Sequence, residues 1–132
     1  DREQGDAFLK RLEALLREFP EVRVVISSSW REVHPFDEIL EYFSEDIRAR
    51  VIGTTPLEGP TPYGRPIVLR EHEIQSWLFR NGGLQQQWVA LDDCVQHFQH
   101  HLDRLVPCRS SVGFDDQAQE HLRRHLEKAR RA

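Results

Sequence analysis

A chain of 132 residues makes one domain with a real core, since a chain of this size buries about two thirds of its unfolded surface. Hydrophobic residues at 39% and charged residues at 30% exclude a disordered or fibrous chain, and no apolar run reaches the length of a membrane span. A formal charge of −4, from 18 basic and 22 acidic side chains, argues against a general electrostatic grip on nucleic acid and leaves that role to local patches.

The start, DREQGDAF, lacks the basic and apolar regions of a secretory signal, and the chain contains no Met, so the coding sequence is expected to continue upstream of Asp1. Residues 6 to 19 place Phe8, Leu9, Leu12, Leu15, Leu16 and Phe19 at helical spacing, with Asp6 as a cap and Pro20 as a stop. The β-branched run from Val22 to Ile26 predicts a strand buried on both faces. Phe36, Ile39, Leu40 and Phe43 return to helical spacing, and Arg50 to Gly53 predicts a brief strand.

Between Gly53 and Leu69 the chain carries Pro56, Pro60, Pro62 and Pro66, which resist both helix and central strand and predict a long loop. Ile74, Trp77 and Leu78 mark a helix closed by Asn81-Gly82-Gly83. Trp88 to Leu91 predicts a strand, Val95, Phe98 and Leu102 a short helix, and Leu105 to Cys108 another strand. Ala118, Leu122, Leu126 and Ala129 predict a last helix capped near Asp115. Helices alternating with strands imply an α/β fold with a mainly parallel sheet. Cys94 and Cys108 are too few for a disulfide scaffold and too isolated for a zinc site; buried free thiols in a reducing cytoplasm are the expectation.

Two strand ends carry the chemistry. Asp92 and Asp93 follow WVAL, and adjacent strand side chains point to opposite faces, so both cannot enter one core. They suit water or a cation such as Mg²⁺, which takes one or two carboxylates and keeps much of its hydration shell. The alternative is structural, with Asp93 capping the following helix and Asp92 merely exposed. Ser27, Ser28 and Ser29 follow VVI in the same way, either as phosphoryl-binding hydroxyls or as an ordinary turn. Arg70, Arg65 and Arg31 are the candidate phosphate cations, with Arg70 best placed just before a helix. The histidines at 97, 100, 101, 121 and 125 and the basic tail from Arg123 to Arg131 read as solvated helix faces.

In order and spacing, VVISSSWR at 24 to 31, REHEIQSWL at 70 to 78, ALDD at 90 to 93 and GFDDQAQEHLRRHL at 113 to 126 resemble the haloacid dehalogenase (HAD) superfamily, specifically the small HAD domain of RNA-repair proteins. The resemblance implies a three-layer Rossmann-like sandwich over residues 1–132, with residues 54–69 where relatives insert a cap. It also implies a Mg²⁺-dependent phosphatase in which a first-strand Asp is the nucleophile and a second Asp, two residues later, the acid and base. Carried over, Ser27 or Ser28 binds the phosphoryl group and Arg70 neutralises it, with Arg65 and Arg31 as alternatives, while Asp92 and Asp93 hold Mg²⁺. A short cap resembles open-site members that take large phosphorylated substrates, nucleic-acid ends or proteins.

No Asp-x-Asp occurs in the sequence. The family's first strand lies between the strands ending in Ser27 and Asp92, so these are expected to pair directly or to leave two open edges. Three readings follow: an HAD-type phosphohydrolase whose nucleophile strand lies upstream, a non-catalytic module that binds a phosphorylated ligand, nucleic-acid end or partner protein, and a self-associating structural domain.

Overall fold

The computed structural model describes residues 2–28, 30–57, 69–83, 86–108 and 114–131, with backbone only for residues 2–6 and Trp30. Helix α1 (Arg2–Glu18) leads to strand β1 (Val24–Ile26), and three short helices follow: α2 (Trp30–Val33), α3 (Phe36–Tyr42) and α4 (Glu45–Arg48). Strand β2 (Val51–Thr54), helix α5 (Leu69–Arg80), strand β3 (Ala90–Asp92), strand β4 (Leu105–Pro107) and helix α6 (Asp116–Arg131) complete the chain. The predicted Pro-rich loop lies almost wholly in 58–68, outside the described residues.

The long helices form where the apolar stripes predict them, and their ends have identifiable causes. Leu15 and Leu16 of α1 are essentially fully buried, each contributing about 1.5–3 kcal/mol relative to exposure. Phe8 of α1 meets Phe114, just before α6, edge to face at 5.3 Å. Asp115 accepts the Ala118 amide through Oδ1, the expected N-cap of α6. Helix α5 ends in a Schellman turn: Gly83 N donates to Leu78 O and Gly82 N to Phe79 O, with Gly82 at φ 67°, a conformation that favours glycine. At α4, the Ser44 hydroxyl and amide both donate to the buried Glu13 carboxylate, which ties α1 to α4.

Val95, Phe98 and Leu102 do not make one helix; 95–97 and 102–104 are separate single turns of 3₁₀ helix. The amides of Gln99, His100 and His101 donate to the buried Glu71 carboxylate, so they are withdrawn from any helical ladder. Strand β1 is buried only at Ile26, and Val24 and Val25 are half-buried, so the expected burial along both faces is not met.

Among the described residues the strands make two parallel ladders, β1 with β2 and β3 with β4, and the strands ending near Ser27 and Asp92 do not pair with each other. The main core gathers α1, α3, α4 and α6 with Ile26, Val51, Val106 and Cys108. A second cluster, Ala90, Phe98 and Leu105 with Ile74 and Trp88, joins α5 to β3 and β4. Leu105 and Val106 fall in different clusters, so the β3–β4 ladder has apolar cover on both faces.

Helix α5 spans both ladders. Trp77 lies over Gly53 of β2, where a Cβ would come within 3.3 Å of the indole Nε1, and Ile74 packs into the β3–β4 cluster. No helix among the described residues is long and apolar enough to cross a membrane.

Candidate functional site

Because α5 bridges the ladders, its first turn delivers Arg70 to the strand tips. The Arg70 Nη1 donates to the Ser27 carbonyl at the end of β1 and, at 3.1 Å, to Glu73 Oε1. Its Nε lies 3.4 Å from Asp92 Oδ2 at the tip of β3. The predicted Ser27, Arg70 and Asp92 are therefore brought into one cluster.

Asp92 is not the exposed residue of the structural alternative. Its side chain is 11% exposed, and Oδ1 accepts the Cys94 amide at 2.8 Å. Burial pushes its carboxyl above the ordinary aspartate range, although the Cys94 amide and the Arg70 charge pull the other way and Asp93 adds to the rise. Asp93 is exposed, and the cap position of the next turn belongs to Cys94.

Arg31 is a correction to the sequence reading. Its Nε donates to Thr55 O, and its Nη1 donates to Ser27 O and Ser28 O, both at 2.7 Å. Its Nη2 lies 2.7 Å from Glu73 Oε1, and both side chains are 3% exposed. A guanidinium so placed pins the tips of β1 and β2 together and is not presented to a phosphate in solution. The carbonyls of Ser27 and Ser28 are thus engaged by arginines; Arg65 and Ser29 lie outside the described residues. Of the two thiols, Cys108 is buried, which pushes it up to about 11, while Cys94 is only half-buried.

Glu73 and Thr55 were not among the expected site residues, and His97 was expected on a solvated helix face. Among the described residues four buried side-chain polar atoms lack a hydrogen-bond partner: Arg31 Nη2, Thr55 Oγ1, Arg70 Nε and His97 Nδ1. Arg31, Thr55 and Arg70 belong to the network just described, and His97 is close enough to bear on the charge of Asp92. Buried polar atoms are nearly always satisfied, so their concentration here makes the strand tips the candidate site. One signal for Glu73 was available: it stands on the same face of α5 as Ile74 and Trp77, in a stripe where an unpaired carboxylate would be costly.

The donor set suits a hydrated Mg²⁺ at the β3 tip, with Asp92 and Asp93 as carboxylates and water for the rest. Asp92 fits this role because a cation would offset the burial that disfavours its ionised form. Among the described residues no group of three or more His, Cys, Asp or Glu side chains converges as a complete metal site.

The sequence model of one family, described as the HAD domain in Swiss Army Knife RNA repair proteins, matches residues 3–119. No curated protein and no solved structure matches the chain.

Proposed function

As the chain belongs to the family of HAD domains in Swiss Army Knife RNA repair proteins, we propose that its strand tips form the phosphoryl- and cation-binding half of a Mg²⁺-dependent phosphohydrolase. The observation that carries this reading is Arg70, which links Ser27 at one tip to Asp92 at the other while keeping a buried Nε without a hydrogen-bond partner. A planar guanidinium with donors to spare is suited to phosphoryl oxygens.

In this role Arg70 takes the phosphoryl charge, and Ser27 or Ser28 orients the group from the β1 tip. Asp92 and Asp93 would hold Mg²⁺, which when bound offsets charge on the phosphoryl oxygens. Hydrolysis needs in addition a carboxylate nucleophile, and the Asp-x-Asp that supplies it in relatives is absent from these 132 residues. The second reading is a module that binds a phosphorylated end without turning it over, through the same Arg70 and Asp92. The same fold reading makes the β1–β2 and β3–β4 ladders two parts of one three-layer sandwich. The family description names RNA repair, which supports a phosphorylated nucleic-acid end as the ligand, and the free thiols accord with a reducing cytoplasm.

Inorganic phosphate and Mg²⁺ together are expected to raise the melting temperature of the chain, with Asp92→Ala abolishing the Mg²⁺ contribution. A form carrying an Asp-x-Asp strand is expected to hydrolyse an aryl phosphate, and turnover there decides between enzyme and binding module. No thermal shift with either ligand, together with concentration-dependent light scattering, would instead favour self-association through the edges of β1 and β3 that pair with no strand among the described residues.

A further inference from the structure

Glu73 is among the most deeply buried side chains of the protein, at 2% exposure, and its Oε1 is shared between Arg31 Nη2 and Arg70 Nη1. Among the described residues the ion pairs at the strand tips join Arg31 and Arg70 to Glu73 and Asp92. Arg31 donates through Nε and Nη1 to the carbonyls of Thr55, Ser27 and Ser28, and its Nη2 is ion-paired with Glu73 at 2.7 Å. Arg70 is anchored through Nη1, while its Nε faces Asp92 with no hydrogen bond.

We infer that Glu73 is a positioning residue for phosphate binding: it cancels the charge of Arg31 and holds Arg70 by one nitrogen, presenting the remainder of that guanidinium beside Asp92. The inference rests on the phosphoryl-site reading and adds to it the group that sets the orientation of the phosphate cation. The helix supplies the register, because residues three apart share a face, so the Arg70–Glu73 pair forms as soon as α5 does. Arg31 then closes the pair from the β1 side.

Electrostatics and positioning predict opposite signs. Removing a carboxylate beside two guanidiniums raises the local positive potential, which by itself would tighten anion binding. If orientation is what Glu73 supplies, its loss frees Arg70 to sample other rotamers, and the ordering must then be met from the binding energy.

The test is calorimetric titration of inorganic phosphate, in Mg²⁺ buffer, into the wild-type chain, Glu73→Gln, Glu73→Asp and the double variant Arg31→Met with Glu73→Met. The double variant removes a buried ion pair as a unit, so it is the safeguard should Glu73→Gln leave Arg31 uncompensated and unfold the chain. Glu73→Gln and the double variant are expected to weaken phosphate by about tenfold or more, with Glu73→Asp partly restoring it and Mg²⁺ affinity unchanged in all. Phosphate bound as tightly as by wild type, or more tightly, in either Glu73→Gln or the double variant overturns the inference.

Should the wild-type chain bind no phosphate, the phosphoryl reading fails, and Glu73 is judged by a second readout. The Arg70 Nε–H resonance is expected to be resolved and exchange-protected in the wild type and lost to fast exchange in Glu73→Gln. An Arg70 signal indifferent to that substitution overturns the positioning role.

Discussion

Arg50 and Arg70 are both half-buried guanidiniums that donate to backbone carbonyls, and they serve opposite ends of the same framework. Arg50 gives Nε to Val22 O at 2.9 Å, Nη1 to Leu16 O at 2.8 Å and Nη2 to Phe19 O at 2.6 Å. It therefore closes the carbonyl end of α1, where a positive charge also complements the helix dipole, and ties that end to the start of β2. Burial lowers its pKa, yet every nitrogen has found a partner within the chain's own backbone. Arg70, at the other end of the strands, keeps a buried nitrogen unsatisfied next to a desolvated carboxylate. Arg50 is consumed by carbonyls, whereas Arg70 keeps a donor beside Asp92, which is what the proposed phosphoryl role uses.

The largest expected effects fall on opposite readouts, stability for Arg50 and phosphate affinity for Arg70. Arg50→Met strips a charged donor from three carbonyls and should cost about 3 kcal/mol in urea unfolding while leaving phosphate affinity untouched. Arg70→Met should do the reverse, costing about 1 kcal/mol of stability but weakening phosphate roughly a hundredfold in titration calorimetry. An Arg50 variant that binds phosphate poorly, or an Arg70 variant that binds it normally, would break the comparison.

Acid gives a smaller effect and acts in opposite directions on His125 of α6 and on Asp92 beside Arg70. His125, whose ring is tilted against that of His121 at 5.1 Å, is held below the usual histidine range first by burial, then by the charges of His121, Lys128 and Arg104, with Asp103 opposing them. The unfolded chain therefore takes up this proton at higher pH than the folded one, and stability falls as pH drops through about 6.5. His125→Gln should flatten that part of a melting-temperature profile. Asp92 has its carboxyl raised, so the cost of burying its charge is present above its folded pKa and is relieved as pH falls through it. A profile still sloping downward in acid after His125→Gln would locate the sensitive group elsewhere.

The two long amphipathic helices, α1 and α6, were legible because their stripes are set by local periodicity and each packs on a single core. The strand positions were legible to within about two residues for the same reason. Helices α2 and α4, four residues each, were not, since so short a segment carries no period. The predicted helix through Val95, Phe98 and Leu102 had the right spacing and the wrong outcome, because Glu71, 28 to 30 residues earlier, takes the amides that would have continued it.

At the site, Ser27, Arg70 and Asp92 could be named in advance because small hydroxyls and paired carboxylates at the end of apolar runs are conspicuous. Their division of labour with Arg31 could not. Arg31 and Arg70 are the same residue type flanking the same serines in space, and only the positions of Thr55 O and Glu73 commit one to the framework and leave the other exposed to Asp92.

What the sequence alone determined, then, is an α/β chain with polar chemistry at two parallel strand tips and an arginine at the head of a helix between them. Periodicity and strand-end composition are local properties, and local order suffices to express them. Tertiary structure decided which carboxylate is desolvated, which arginine is consumed and where the orphaned polar atoms gather. Those outcomes depend on burial and on charge partners from β1, β2, α5 and β3 meeting in space, and no single segment of the chain contains them.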